Sequence, residues 1–333
     1  MNKPLPQPSL RPRAPFRWQG LLLRWELILA LLLLGVMLVN SRLSPFFFDP
    51  FNLGDATFNF AEKGIMALAM ALVILCRDID LSVASIMALS SLTMGLAAQQ
   101  GVGLWGLIAV GVLTGAVCGA FNGFLVIRFA IPAIAITLGT MSLFRGISQA
   151  VLGDQALTQY PAAFAAMGQG YAVKFVPISF AVFLILALVV GFMLHRTRWG
   201  RDLYAIGNNP EAARFSGIPV SLYRFALFVL SGTFAGLAAV FLTARISSTR
   251  PNIAQGWELD VITMVVLGGV SIAGGVGGIL GVVLAVLLLG MISFGLGLLN
   301  VPGIVASIAI GALLLTAIAL PPLIKRLTRG GSR

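Results

Sequence analysis

The sequence has little charge and few of the residues from which catalytic and metal centres are built. Only 10% of its 333 residues are Asp, Glu, Lys or Arg, where a soluble domain carries about a quarter, so a water-soluble globular protein is excluded. It has one histidine, His195, and two cysteines, Cys76 and Cys118, both in or beside apolar stretches. These three give no metal-ligand cluster and no disulfide framework. Lysine occurs only at positions 3, 63, 174 and 325, and none follows a glycine. A phosphate-cradling loop ending in Gly-Lys-Ser or Gly-Lys-Thr is therefore absent. No nucleophile–base–orienter set can be read. The expectation is a chain with no catalytic residue, no metal site and no cofactor of its own, so any nucleotide energy comes from a partner.

What fills the sequence is apolar: 59% of it is hydrophobic and its mean hydropathy is +0.99. Divided into spans of about 20 residues, it reads as an all-α membrane protein, a polytopic bundle of about ten transmembrane helices. The expected spans are 21–40, 59–76, 82–99, 104–127, 131–152, 176–195, 222–243, 259–273, 276–297 and 301–320. Residues 27–39 lack a small-residue cleavage site and read as a retained first span rather than a signal peptide.

The net charge of +11 arises from 22 basic and 11 acidic residues. The basic residues form no single face, which argues against nucleic acid. They cluster in the tail 1–20 and at Arg24, in the loop 196–221 with Arg224, and around the tail 325–333. Ten spans place all three clusters on the cytoplasmic side, as the positive-inside rule requires. The expected organisation is then N-in and C-in, with a permease domain over 21–324, in a bacterial inner membrane.

Internal signals are weaker. Ala130-Ile131-Pro132-Ala133-Ile134 opens the fifth span and Asn300-Val301-Pro302-Gly303-Ile304 the tenth. Five spans apart means opposite orientation, as in inverted repeats; equally, proline simply suits the first helical turn. Gly115, Gly119 and Gly123 recur every four residues, which suits close helix packing.

Four segments carry polar or irregular chemistry. Arg77-Asp78-Ile79-Asp80-Leu81-Ser82 is a charged island between apolar stretches. Such groups mark a pathway or a structural break. Either Asp78 or Asp80 caps the next helix and pairs with Arg77, or they line a path. Gly268, Gly269, Gly274 and Gly275 suit a second break, or helix packing alone. In the loop 196–221, Asn209 caps a short helix with Pro210 at its first position and Glu211 in its first turn, and Gly217 ends it. Phe215 and Ile218 in that loop suit a docking surface better than a solvated connector. Outside, Arg245 and Arg250 either meet acidic groups of an extracytoplasmic partner or pair locally with Glu258 and Asp260.

Three blocks in order resemble a known family over nearly the full length. They are Ile79-Asp80-Leu81-Ser82; Gly200-Arg201 through Tyr204 and Asn208-Asn209 to Ala212-Ala213-Arg214-Phe215-Ser216-Gly217-Ile218; and Glu258-Leu259-Asp260 through Gly268-Gly269 to Gly274-Gly275. The chain is similar to permeases of ribose-type monosaccharide importers of the ATP-binding-cassette class. Within that class, Asp55 to Phe60, Gly139 to Gly146 and Ser248-Thr249-Arg250-Pro251 look like rhamnose permeases, with autoinducer-2 permeases the nearest confusable group. The resemblance implies an extracytoplasmic binding protein, a second permease subunit, and ATPase subunits that bind ATP; Arg245 and Arg250, basic where an outer loop should be poor in basic residues, are the residues expected to dock the binding protein. The ATPase would dock at Asn208, Asn209, Glu211, Ala212, Ala213, Arg214 and Gly217. Irregular backbone at the charged island and the glycine segment places the expected path near Asp78, Asp80, Ser82 and the four glycines. One departure stands out: the family usually has two small residues before Ile-Asp-Leu-Ser, and here they are Arg77 and Asp78. A proton-coupled secondary transporter is the rival class and would need a relay of buried titratable groups.

Overall fold

A computed structural model describes residues 25–303 and, beyond them, positions 305, 308, 311, 312 and 315. The tails 1–20 and 325–333, and most of the tenth expected span, lie outside the described residues. Elsewhere the apolar stretches are helices: α1 (Trp25–Leu43), α2 (Pro50–Leu75), α3 (Val83–Gln99), α4 (Leu104–Phe129) and α5 (Ala133–Leu152). A short α6 (Ala162–Gln169) and a hairpin of β1 (Tyr171–Val173) and β2 (Val176–Pro177) follow. Then come α7 (Ile178–Arg196), α8 (Arg198–Asn208), α9 (Pro210–Phe215), α10 (Val220–Ile246), α11 (Trp257–Leu267) and α12 (Ile279–Leu298). Among the described residues seven helices are long and apolar enough to cross a membrane, and α3 is a shorter apolar one. The chain is a multi-pass helical membrane protein.

Three expectations need correction. Residues 41–58 are not all connector: the Asp49 side chain accepts the N–H groups of Phe51 and Asn52 and, with Pro50 at the first position, starts α2 nine residues earlier than its hydropathy suggests. Segment 153–175 holds α6 and most of the hairpin, so the bundle has a small β element. Finally, the eighth expected span, 259–273, stops at Leu267, and the ninth begins only at Ile279.

The core is built around α2, in which every residue from Gly64 to Leu75 is buried. Its sequence is apolar all round, as a helix enclosed by other helices requires. By contrast α1 and α7 expose Leu31, Leu34, Leu38, Leu188 and Phe192, an outward apolar surface suited to lipid.

Packing explains the glycine spacing. A Cβ on Gly115 would lie 2.2 Å from the Gly232 carbonyl oxygen, and one on Gly119 2.2 Å from that of Phe228. Backbones in direct contact let α4 and α10 cross closely, which is how small residues associate helices in lipid. Gly123 sits on the same seam, facing Phe225 and Phe228.

The backbone also strengthens the weak repeat. Arg77 and Ser247 are both left-handed and end α2 and α10; Ala130 and Asn300 are both left-handed before Pro132 and Pro302. Each pair stands 170 positions apart. The same offset carries α2 onto α10, α3 onto α11 and α4 onto α12. Helices α2 and α10 are antiparallel: Asp78, just past the end of α2, meets Arg224 at the start of α10, while Glu62 meets Arg245 near its end. The related helices α2 and α10 therefore run in opposite directions.

Candidate functional site

Local sequence shapes the loop between α7 and α10. The Thr197 hydroxyl accepts from Gly200 N–H to start α8. Gly200 can hold no side chain, since a Cβ would lie 1.9 Å from the Leu194 carbonyl oxygen. Asn209 then caps α9 by accepting from the N–H groups of Glu211 and Ala212 at 3.0 and 3.1 Å. Gly217 closes the turn with φ +84°, where only glycine is unstrained. Ala213 is buried as the inner contact of α9; Glu211, Ala212 and Arg214 are exposed, and Phe215 is 93% exposed. Ile218 is half-buried against the core, so Phe215 is the apolar group the loop presents.

This helix pair sits on a junction of three chain segments. Arg77 reaches the end of α8, its Nε donating to the Gly207 carbonyl at 2.7 Å and its Nη2 to that of Asn208 at 2.6 Å. A cation there satisfies terminal carbonyls and suits the helix dipole. Gly275 N–H donates to the Leu75 carbonyl at 2.9 Å, and the Tyr204 hydroxyl to that of Gly277 at 2.6 Å. Burial pushes the Tyr204 phenol up, which keeps it a donor. Gly207 lies between the other two segments: a Cβ would be 2.1 Å from the Leu75 oxygen and 2.5 Å from the Gly275 nitrogen. The charged island, the loop helices and the glycine segment, far apart in sequence, thus form one body.

Within the island the two acids separate. Asp78 does not pair with Arg77; Arg224 binds it at both carboxylate oxygens, at 2.6 and 2.7 Å. This is the bidentate geometry that favours arginine. Asp80 is fully buried and has no basic partner among the described residues. It accepts from Ser82 N–H at 3.0 Å, from the Ser82 hydroxyl at 2.6 Å and from the Ser231 hydroxyl at 2.8 Å. Asn122 donates to the Ser82 oxygen at 2.8 Å. Asp80 thereby fixes the turn that leads into α3, which has no side-chain cap of its own, and ties that turn to α10 directly and to α4 through Ser82; the capping expected of Asp78 or Asp80 does not form.

The four glycines also divide. Gly268 is a packing glycine, with Gly281 and Val282 of α12 against it. Gly269, Gly274 and Gly275 have φ of +87°, +80° and +73°, which makes them backbone glycines in a non-helical segment. At the far end of α10, Arg245 is engaged by buried Glu62 at 3.1 Å and by Asn59 at 3.2 Å. Asp260 pairs with Lys63 at 2.5 Å. The local pairing expected for Arg245 therefore does not form; its acid lies on α2. Arg250 is exposed.

Residues 53–318 match a family described as the permease component of the branched-chain amino acid transport system. The chain belongs to that family. It is 36% identical over 300 residues to the autoinducer 2 import system permease protein LsrD of Escherichia coli (strain K12), covering 88% of this chain and 91% of that protein. The protein of the same name from Shigella flexneri matches to the same extent. The chain is thus a permease of an ATP-binding-cassette importer and not an enzyme.

Sequence reasoning missed Arg224, Ser231 and Asn122, and it assigned Arg77 the wrong partner. Arg77 instead closes α8. The partners lie 40 to 151 positions away along the chain, so no local spacing marks them.

Proposed function

We propose that the chain is the membrane-spanning subunit of an importer for a small monosaccharide-like solute, driven by separate ATPase subunits that bind ATP. It spans the bacterial inner membrane about ten times with both ends inside, pairs with a second permease subunit, and receives solute from an extracytoplasmic binding protein. The observation that carries this reading is the α8–α9 pair, which offers Phe215 outward while Gly207 and Arg77 lock its inner side to both breaks. A push on α9 is then delivered to the end of α2 and to the glycine segment without a flexible joint. Non-helical backbone at membrane depth is tolerated where protein or a watery cavity satisfies it, so the path is assigned beside Asp80–Ser82 and 268–278.

Expectation favoured rhamnose over autoinducer 2. That preference finds no support, since the similar curated permeases carry autoinducer 2 in their names; autoinducer 2 is placed ahead of rhamnose here. The proton-relay alternative is weakened because Glu62 and Asp78 are each held by an arginine. The test is reconstitution with the cognate ATPase and binding protein. Glu211→Arg and Gly217→Trp should abolish transport while ATP hydrolysis continues; unchanged transport in both refutes the coupling role. A binding protein that ignores autoinducer 2 and takes another ligand refutes the solute assignment.

A further inference from the structure

A polar groove lies on the Arg250 side of the molecule. It is a cavity of about 670 Å³, lined by Gln149, Asp154, Gln155, Arg250 and Asn252 among others, within the about 300–1,000 Å³ typical of small-molecule sites. These five side chains have no hydrogen-bond or ion-pair partner among the described residues.

The walls around them are fixed. Leu157 and Thr249 exchange both backbone hydrogen bonds, at 3.0 and 2.8 Å, next to the groove. Arg145, one turn before Gln149 on α5, donates to the carbonyls of Pro251 and Ile253 at 3.0 and 2.7 Å. The Thr249 hydroxyl is bonded to Ser91 and Tyr160, each at 2.6 Å. Burial pushes the Tyr160 phenol up to about 12, so this brace persists at any physiological pH. All five side chains are exposed to solvent, so they are accessible to a ligand, and the fixed walls beneath them limit the backbone ordering that binding would otherwise cost.

The residue types specify the ligand. One carboxylate accepts, one guanidinium donates, and three amides do both. A hydroxyl also does both. The two charges balance, so the groove selects neither sign. No aromatic or large aliphatic side chain is present to anchor a protein partner, as interface hot spots require. We propose that this groove is a solute-acceptance subsite for a neutral polyhydroxylated molecule, held by Asp154 and Arg250 before it enters the path. The identity of that solute, and the outward position of the groove, rest on the function proposed above.

The test uses the complete permease–ATPase complex in nanodiscs without binding protein. The probes are autoinducer 2, L-rhamnose and D-ribose, followed by equilibrium binding. The expected result is saturable binding of one probe, weakened about tenfold or more by Asp154→Asn and by Arg250→Gln, as loss of a charged hydrogen bond implies. Association of Asp154→Asn with the binding protein should match the parent; Arg250, expected to help dock that protein, is read by solute binding alone. Co-elution with the ATPase reports folding, and Gln149→Ala with Asn252→Ala serves if either first variant fails to assemble. Absence of saturable binding for all three probes overturns the subsite, as does equal binding by parent and variants. Loss of binding-protein association instead makes the groove a protein-docking surface. Uptake by the parent with its binding protein reads the proposed function separately: uptake of a probe that the variants bind as well as the parent defeats only the subsite.

Discussion

The break after α2 and the break after α10 are the same backbone device with different chemistry. Both begin at a left-handed residue, Arg77 or Ser247, 170 positions apart. The first is filled with charge: Arg77 closes α8, Asp78 is clasped by Arg224, and Asp80 is buried among hydroxyls. The second is held by hydroxyls and main-chain carbonyls, through Thr249 and through Arg145 on Pro251 and Ile253, and leaves Arg250 exposed. The helices that follow also differ. α3 runs 17 residues, while α11 stops after 11 and gives way to the glycine segment that meets the loop helices. An internal repeat thus supplies a symmetric frame, and side chains make one half rigid and coupled and the other open and polar.

The largest effect is expected where backbones touch. Gly207→Val places carbon inside contact distance of Leu75 and Gly275 and should abolish ATP-driven transport, whereas Gly217→Ala, in open space at positive φ, should cost only about 1–2 kcal/mol. Transport assays and thermal melts of both variants check this; a functional Gly207→Val would remove the junction from the mechanism.

Next is Asp80→Ala, which strands the Ser82 N–H and the Ser231 hydroxyl and should destabilise by about 2–4 kcal/mol. Arg250→Ala in the opposite break should stay within about 0.5 kcal/mol. Comparable melting shifts for the two would erase the contrast between the breaks.

Smaller in net effect is the Asp78–Arg224 clasp. Arg224→Met alone leaves a buried carboxylate and should cost about 3 kcal/mol, much of it recovered by adding Asp78→Asn. Denaturation of the single and double variants gives the coupling energy. Glu62→Gln with Arg245→Met repeats the test at the other end of the α2–α10 pair. Additive losses at either site would show that the ion pair is not what holds that end.

Much of the fold was legible because a bilayer constrains sequence strongly. Long apolar runs, basic clusters and glycines at four-residue spacing are local signals with a direct physical cause. The cap of α9 was legible for the same reason, since Asn209, Pro210 and Gly217 each act within a few residues of themselves. The early start of α2 was missed because its first turns are too polar for a hydropathy reading, although Asp49-Pro50 is itself a helix start. The hairpin and α6 were missed because short elements carry no periodic signal.

By itself the sequence determined a multi-pass helical permease, the place of the loop helix, and backbone irregularity at the charged island and the glycine segment. Only the tertiary structure decided that Asp78 belongs to Arg224 and Asp80 to Ser231, that Arg77 closes α8, and that one group of glycines packs while another bends the chain. Buried ions and orphan carbonyls must find partners wherever the fold brings them, and that choice is made by helices meeting across more than a hundred residues of chain.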